Sequence, residues 1–263
     1  MYAMDYHHHT NHSFDSTASM VEVCKKAIEN EIKEICFTEH FSVNPLAPTY
    51  GHMVFENYLQ EIRYCQEQFH TQLTIKAGIE LCEPHLLKEQ YDETLQPLDL
   101  DFILGSVHNL KNQKLRLALK EDPVTAYERY FTELYHMVST ADIDIIAHFD
   151  LMKRYAYKEY GLYNFQEHQE IIEQIVKKAI DRNIGMEINT SGLRTGLKQT
   201  LPSIEILRLY KELGGEILTV GSDSHTAKDV GANLAEAYAL AKQCGFNYIY
   251  KFEKRKPIAV KIF

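Results

Sequence analysis

Short apolar runs alternate along this chain with longer stretches in which apolar residues return every three or four positions. The runs read as strands at 2–6, 32–38, 73–79, 102–107, 143–147, 184–188 and 217–221, with one more at 248–252. The longer stretches read as helices at 17–30, 55–69, 86–95, 124–140, 165–183, 202–213 and 228–244. In 17–30 the apolar face is Met20, Val23, Cys24, Ala27 and Ile28, with Ser16 the expected N-cap. In 55–69 it is Tyr58, Leu59, Ile62, Cys65 and Phe69. Pro123 stands ahead of 124–140, where a first helical turn tolerates it.

This is a βα unit repeated roughly seven times, with no Pro/Gly/Ser-rich linker to divide it. The pattern predicts an α/β fold, a parallel-stranded barrel in one domain over residues 1–263. An open doubly wound sheet is the alternative. The longest irregular insertion is 41–54, which carries Asn44-Pro45 and Ala47-Pro48. Loops of that length are often functional.

Composition narrows the partners. Lys and Arg total 28 against 37 Asp and Glu, a net charge of −9. Such an acidic chain is a poor general binder of nucleic acid, although a local basic pocket for a small phosphorylated substrate remains compatible with it. Cys24, Cys36, Cys65, Cys82 and Cys244 are odd in number and form no CxxC pair, which fits free thiols in a reducing cytosol. Cys24 and Cys36 sit among apolar neighbours and read as core. No secretory signal and no run long enough for a membrane span is visible, so a cytoplasmic location is expected.

The chemistry lies at the strand ends. His7 and His9 end the first strand two residues apart, so their side chains share a face and His8 points away. Glu39 and His40 follow the second strand, Glu80 ends the third, His108 the fourth, His148 the fifth and Asn189 the sixth. Asp223 and His225 follow the seventh. Any one of these alone is commonly structural, and an acidic residue there is often the N-cap of the next helix. The repetition at one end of strand after strand predicts a metal centre built from His and carboxylate. His70, His136 and His168 fall in predicted helices and are expected to be ordinary.

The motifs His7-x-His9, Ser13-x-Asp15, Thr38-Glu39-His40, Gly78-x-Glu80, Gly105-Ser106-Val107-His108, Ala147-His148 and Gly221-Ser222-Asp223-Ser224-His225 resemble, in order and spacing, the polymerase and histidinol phosphatase (PHP) family. The resemblance spans nearly the whole chain, and 187–194 is similar to the histidinol-phosphatase branch. It implies a distorted (β/α)7 TIM-like barrel with two or three divalent ions, Zn, Fe or Mn, at the C-terminal ends of the strands. Residue by residue, it implies a first position held by His7, His9, Glu80 and Asp223. A second is bridged by Glu80 and completed by His108 and His148, and a third is formed by Asp15, His40 and His225. Many relatives carry His where Asp15 stands, and His12 is a nearby alternative. His8 is expected to pack or to face solvent.

The implied reaction is hydrolysis of L-histidinol phosphate to L-histidinol and phosphate in histidine biosynthesis, by water activated between two cations. Glu80, Asp223 and Asp15 are the implied catalytic carboxylates, with Asp15 or a metal-held water as proton source. Arg116, Arg154 and Arg194 follow the fourth, fifth and sixth strands and are the candidates for phosphate. Tyr50, His52 and the tyrosines of 155–163 are candidates for the substrate's imidazole and amine. Two other readings stand beside this one: a phosphoesterase for nucleotides or other small phosphates, and a metal-binding module without turnover.

Overall fold

The computed structural model describes residues 2–262. In chain order the strands are β1 (Met4–Asp5), β2 (Glu34–Phe37), β3 (His40–Phe41), β4 (Thr74–Cys82), β5 (Phe102–Ser106), β6 (Asn109–Leu110), β7 (Gln113–Lys114), β8 (Ile145–Ile146), β9 (Gly185–Asn189), β10 (Leu218–Gly221), β11 (Tyr248–Glu253) and β12 (Lys256–Lys261). The helices are α1 (Met20–Glu29), α2 (Phe55–Phe69), α3 (Lys88–Leu95), α4 (Leu115–Glu121), α5 (Ala126–Thr140), α6 (Met152–Ala156), α7 (Phe165–Asp181), α8 (Ile204–Glu212) and α9 (Leu234–Gln243).

The main sheet runs β1-β2-β4-β5-β8-β9-β10, all parallel, with β3 added beside β4. Its two edges meet: Tyr6 N–H donates to Val220 O at 2.9 Å and His9 N–H to Ser224 O at 2.8 Å. The sheet is therefore a nearly closed seven-strand barrel with helices outside, as the βα alternation predicts, and not an open doubly wound sheet. Its strands are buried on both faces over nearly their whole length, as parallel sheets require, with the polar side chains gathered mainly at the strand ends.

Two sequence boundaries shift and one hairpin is added, each for an identifiable reason. The cap of α1 is Ser19, not Ser16: Ser19 and Glu22 form a capping box, while the Ser16 hydroxyl donates to His9 O and His225 O. The last helix starts at Leu234, because Gly231 (φ 71°) and Asn233 (φ 62°) are left-handed and break the expected run. The segment 111–114 belongs to the β6–β7 hairpin, turned by Lys111 and Asn112 at φ 49° and 66°, and α4 follows at once.

The antiparallel β11–β12 hairpin packs at the barrel's N-terminal end. Phe252, 2% exposed, sits 4.9 Å from the Phe102 ring and 6.5 Å from that of Tyr6, and its N–H donates to the Tyr6 hydroxyl at 2.9 Å. Buried Glu34 accepts from Tyr2, from Tyr6 and from Lys251 of the hairpin. Arg255 reaches Asp144 at 2.6 Å. The C-terminal end is thereby the open one. Phe252→Ala should lower stability by about 3–5 kcal/mol, the usual cost of deleting a buried ring. Urea unfolding followed by circular dichroism measures this, and an unchanged midpoint would show that the hairpin does not hold the barrel.

Candidate metal centre

Glu80 is the hub. It lies late in β4, fully buried, and β3 places His40 directly opposite it in register. Its two oxygens face different groups. Oε2 is 3.5 Å from His7 Nε2 and 3.6 Å from His9 Nε2. Oε1 is 2.8 Å from His148 Nε2 and 3.6 Å from His108 Nε2. Asp223 Oδ1 closes the first group at 3.8 Å from His7 Nε2 and 3.5 Å from His9 Nε2. A third group lies alongside, where Asp15 Oδ2 is 3.4 Å from both His40 Nε2 and His225 Nε2. The His9 ring stacks between the two sets, 4.2 Å from His40 and 4.3 Å from His225.

Strand chemistry builds this geometry. His7 and His9 leave β1 on one face, while His8 turns away, fully buried, with Nδ1 2.7 Å from Ser224 Oγ. His148 (φ 25°) and Asp223 (φ 54°) have left-handed backbones at the ends of β8 and β10, conformations costly for non-glycine residues and common at functional sites. Gly221 has no room for a Cβ, which would stand 2.2 Å from Glu187 Oε1 and 2.5 Å from His7 Cβ. Through that gap Glu187 reaches His7 Nδ1 at 2.7 Å, and its other oxygen accepts from the His148 N–H at 2.8 Å. Carboxylates behind ligating imidazoles fix ring orientation and tautomer. Ser13 does the same for His9 at 3.1 Å, and is itself tied to buried Glu39 at 2.6 Å.

Electrostatics polarise the cluster. Burial pushes the Glu80 carboxyl upward, but His40, His7, His108 and the His148 hydrogen bond prevail and hold it well below the ordinary range. Asp223 is likewise raised by burial and lowered further by His7, His9, Arg154 and His225, with a net depression. Burial drives His108 down to about 3, and burial with the neighbouring His40 and His225 drives His9 well below normal. The donors are thus ionised carboxylates facing imidazoles, some of which burial holds neutral.

The arrangement fits cations. Glu80 Oε2 is buried without a hydrogen-bond donor; His40 Nδ1, at 2.7 Å, is out of line for one. His7 Nε2 and His9 Nε2 face each other at 3.0 Å. Donors at 2.0–2.1 Å from a tetrahedral centre stand about 3.3 Å apart, close to the separations in the first group. Groups His7/His9/Asp223, His7/Glu80/His148 and His9/His40/His225 each bring their donor atoms within 4.8 Å of one another.

Around the donors, Arg154 reaches Asp223 Oδ2 at 3.1 Å and also donates to Ser191. Arg194 donates to Ser222 O at 2.6 Å and lies behind Asp223. Arg116, exposed, borders a cleft of about 250 Å³ with Asp15, His40, His108, Lys114 and Tyr155. His12 pairs with Glu61 of α2 at 2.7 Å and takes no place among the donors, whereas Asp15 does. Tyr50 and His52 are exposed and do not border the cleft; Pro48 and Thr49 of the same loop do. His70, His136 and His168 lie outside the cluster, on or beside the helices. Glu39, a strand-end candidate, accepts from Thr10 and Ser13 and takes no place among the donors, while Glu187, Ser13 and Lys114 carry parts that strand-end position alone does not assign.

The family model of the PHP domain matches residues 5–191. A probable histidinol-phosphatase of Clostridium acetobutylicum is 31% identical over 258 residues, covering 95% of this chain and 97% of its own. The histidinol-phosphatase of Lactococcus lactis is 27% identical over 270 residues, covering 97% and 96%. The crystal structure of histidinol phosphate phosphatase from Lactococcus lactis, complexed with Zn, L-histidinol and phosphate, has a TM-score of 0.90 to this fold at 26% identity, covering 98% of this chain and 99% of that one. With its family match running through five of the six strand ends that carry the candidate donors, the chain belongs to the PHP domain family.

Proposed function

We propose that this chain, as one barrel domain over residues 1–263, is a metal-dependent phosphomonoesterase of the cytoplasm. Its reaction is hydrolysis of L-histidinol phosphate to L-histidinol and phosphate, a step of histidine biosynthesis. The observation that carries this reading is Glu80, whose two oxygens face two separate imidazole groups across a buried site without hydrogen-bond donors on one side. The likeness to relatives named histidinol-phosphatases supports the substrate.

In this reading His7, His9, Glu80 and Asp223 hold one cation, Glu80, His108 and His148 a second, and Asp15, His40 and His225 a third. The mixed nitrogen and oxygen donors suit Zn, Fe or Mn. When bound, such ions polarise phosphoryl oxygens and lower the pKa of a water held between them. The protein's own part is to keep the donors in place and charged. Glu187 orients His7 and pins the backbone of His148. Arg154, anchored on Asp223, puts its charge beside the donors, where a phosphate oxygen arrives. Arg194 braces the Asp223 backbone from behind, and Arg116 and Lys114 offer charge at the mouth. Asp15 is raised by burial but lowered more by hydrogen bonds from His225 and His40, so it stands ionised and ready to hold the third cation. Phe14 and Tyr155 give the cleft an aromatic lining suited to an imidazole.

Three outcomes follow. Glu80→Gln, His148→Ala and Asp223→Asn should each lose metal and nearly all activity while keeping the wild-type circular dichroism; retained metal and turnover in all three would refute the donor assignment. Glu187→Gln should weaken metal binding by roughly 10–100-fold, the loss typical of an outer partner of a ligating imidazole. Competition with a chromophoric chelator reads this directly. In a panel of L-histidinol phosphate, p-nitrophenyl phosphate and nucleotides, kcat/KM should be highest for L-histidinol phosphate. Equal rates on the whole panel would leave a general phosphoesterase, and no turnover with the metals loaded would leave a binding module.

A further inference from the structure

One polar group at the mouth of the centre is not used by this chemistry. Cys82 ends β4 two residues beyond Glu80, so its side chain leaves the same face of the strand. It is 3% exposed and borders the cleft. Its Sγ is 4.0 Å from His40 Nδ1, and the donor atoms of His40, Cys82 and His108 all lie within 4.8 Å of one another. The other cysteines, Cys24, Cys36, Cys65 and Cys244, are also buried free thiols but join no such group among the described residues.

The position of His40 gives this cluster a consequence. Its Nε2 faces Asp15, while its Nδ1 faces Glu80 and Cys82. A neutral imidazole has one lone pair. A cation held through Nδ1 therefore deprives the Asp15–His225 pair of the His40 donor. The same cation takes His108, which otherwise stands with Glu80 and His148. Thiolate is a soft donor, so the ion that gains most from this position is thiophilic.

We infer that His40, Cys82 and His108 form a site for a thiophilic divalent cation such as Cd2+ or excess Zn2+, and that filling it inhibits the enzyme by withdrawing His40 and His108 from the working centre. In the binding step the S–H bond breaks, its proton passes to buffer, and the sulfur electron pair forms the bond to the ion; nothing is oxidised or reduced. The inhibitory half rests on the function proposed above, whereas the binding half does not.

The test titrates the metal-loaded protein with Cd2+, recording thiolate-to-cadmium charge-transfer absorption in the ultraviolet and, in parallel, hydrolysis of p-nitrophenyl phosphate. Cys82→Ser and Cys82→Ala are compared with wild type, each normalised to its own rate without Cd2+. Wild type should gain the absorption as its activity falls. Both variants should lack that increment and need roughly tenfold or more Cd2+ for half-inhibition, because a thiophilic ion loses its one soft ligand. The same absorption increment in the variants overturns the site. Loss of the increment with unchanged inhibition overturns the inhibitory role. If the loaded protein hydrolyses no ester at all, the function proposed above fails, and the absorption alone still decides whether Cys82 binds the ion.

Discussion

A carboxylate stripped of water and of hydrogen-bond donors is unstable unless positive charge or a proton meets it. Glu80 is half in that position, fully buried, with Oε1 met by His148 and Oε2 lacking a donor. The rest of the structure is arranged around satisfying it. Parallel strands deliver their C-terminal ends to one mouth, so residues more than two hundred positions apart, His7 and Asp223, come within 3.8 Å. The short β3 exists to set His40 beside Glu80. The imidazoles lower the carboxyl against the penalty of burial, and the carboxylates in turn raise His7 and His40 despite theirs.

Such a cluster is useful only if it stays where it is, because a misplacement of about 1 Å at a reacting centre is costly. Rigidity comes from both ends of the barrel. At the mouth, Glu187 links β1, β8 and β9 in one side chain, touching His7, His148 and Asn189. Glu39 ties the 10–13 turn to the end of β2 through Thr10 and Ser13. At the far end, the hairpin's Phe252 covers Phe102 and Tyr6, and Arg255 joins Asp144. The left-handed backbones of His148 and Asp223 are local strain that this framework absorbs.

Much of this was legible in the sequence, because periodicity reports burial and strand ends in a βα barrel converge. The order of strands, α2 to the residue, and the inward pairs His7/His9 and Asp223/His225 follow from spacing alone. What spacing does not report is competition between partners. Ser16 looks like a cap, yet its hydroxyl closes contacts between His9 and His225 that lie 216 residues apart. Glu187 shares a face with Asn189, which marks it as inward, but its partner His7 is 180 residues away and invisible to local pattern. Cys82 shares a face with Glu80 in the same way. Tyr50 and His52 have the right chemistry, and the turn at 47–52 carries them outward.

The chain's net charge of −9 and its reading as an enzyme for a phosphate ester are reconciled by where the charges sit. Within the centre, Glu80, Asp223, Asp15 and, behind His7, Glu187 supply four negative charges, fewer than the three proposed divalent cations carry. With the proposed ions in place the site is therefore net positive, and Arg154 adds to it from beside Asp223. Lys114 and Arg116 extend that positive field to the mouth of the cleft. A low-dielectric cleft focuses field lines, so a phosphate dianion entering there responds to the local potential more than to distant carboxylates, which salt screens beyond about 8 Å. A small phosphate ester then meets a local positive potential despite the chain's net negative charge.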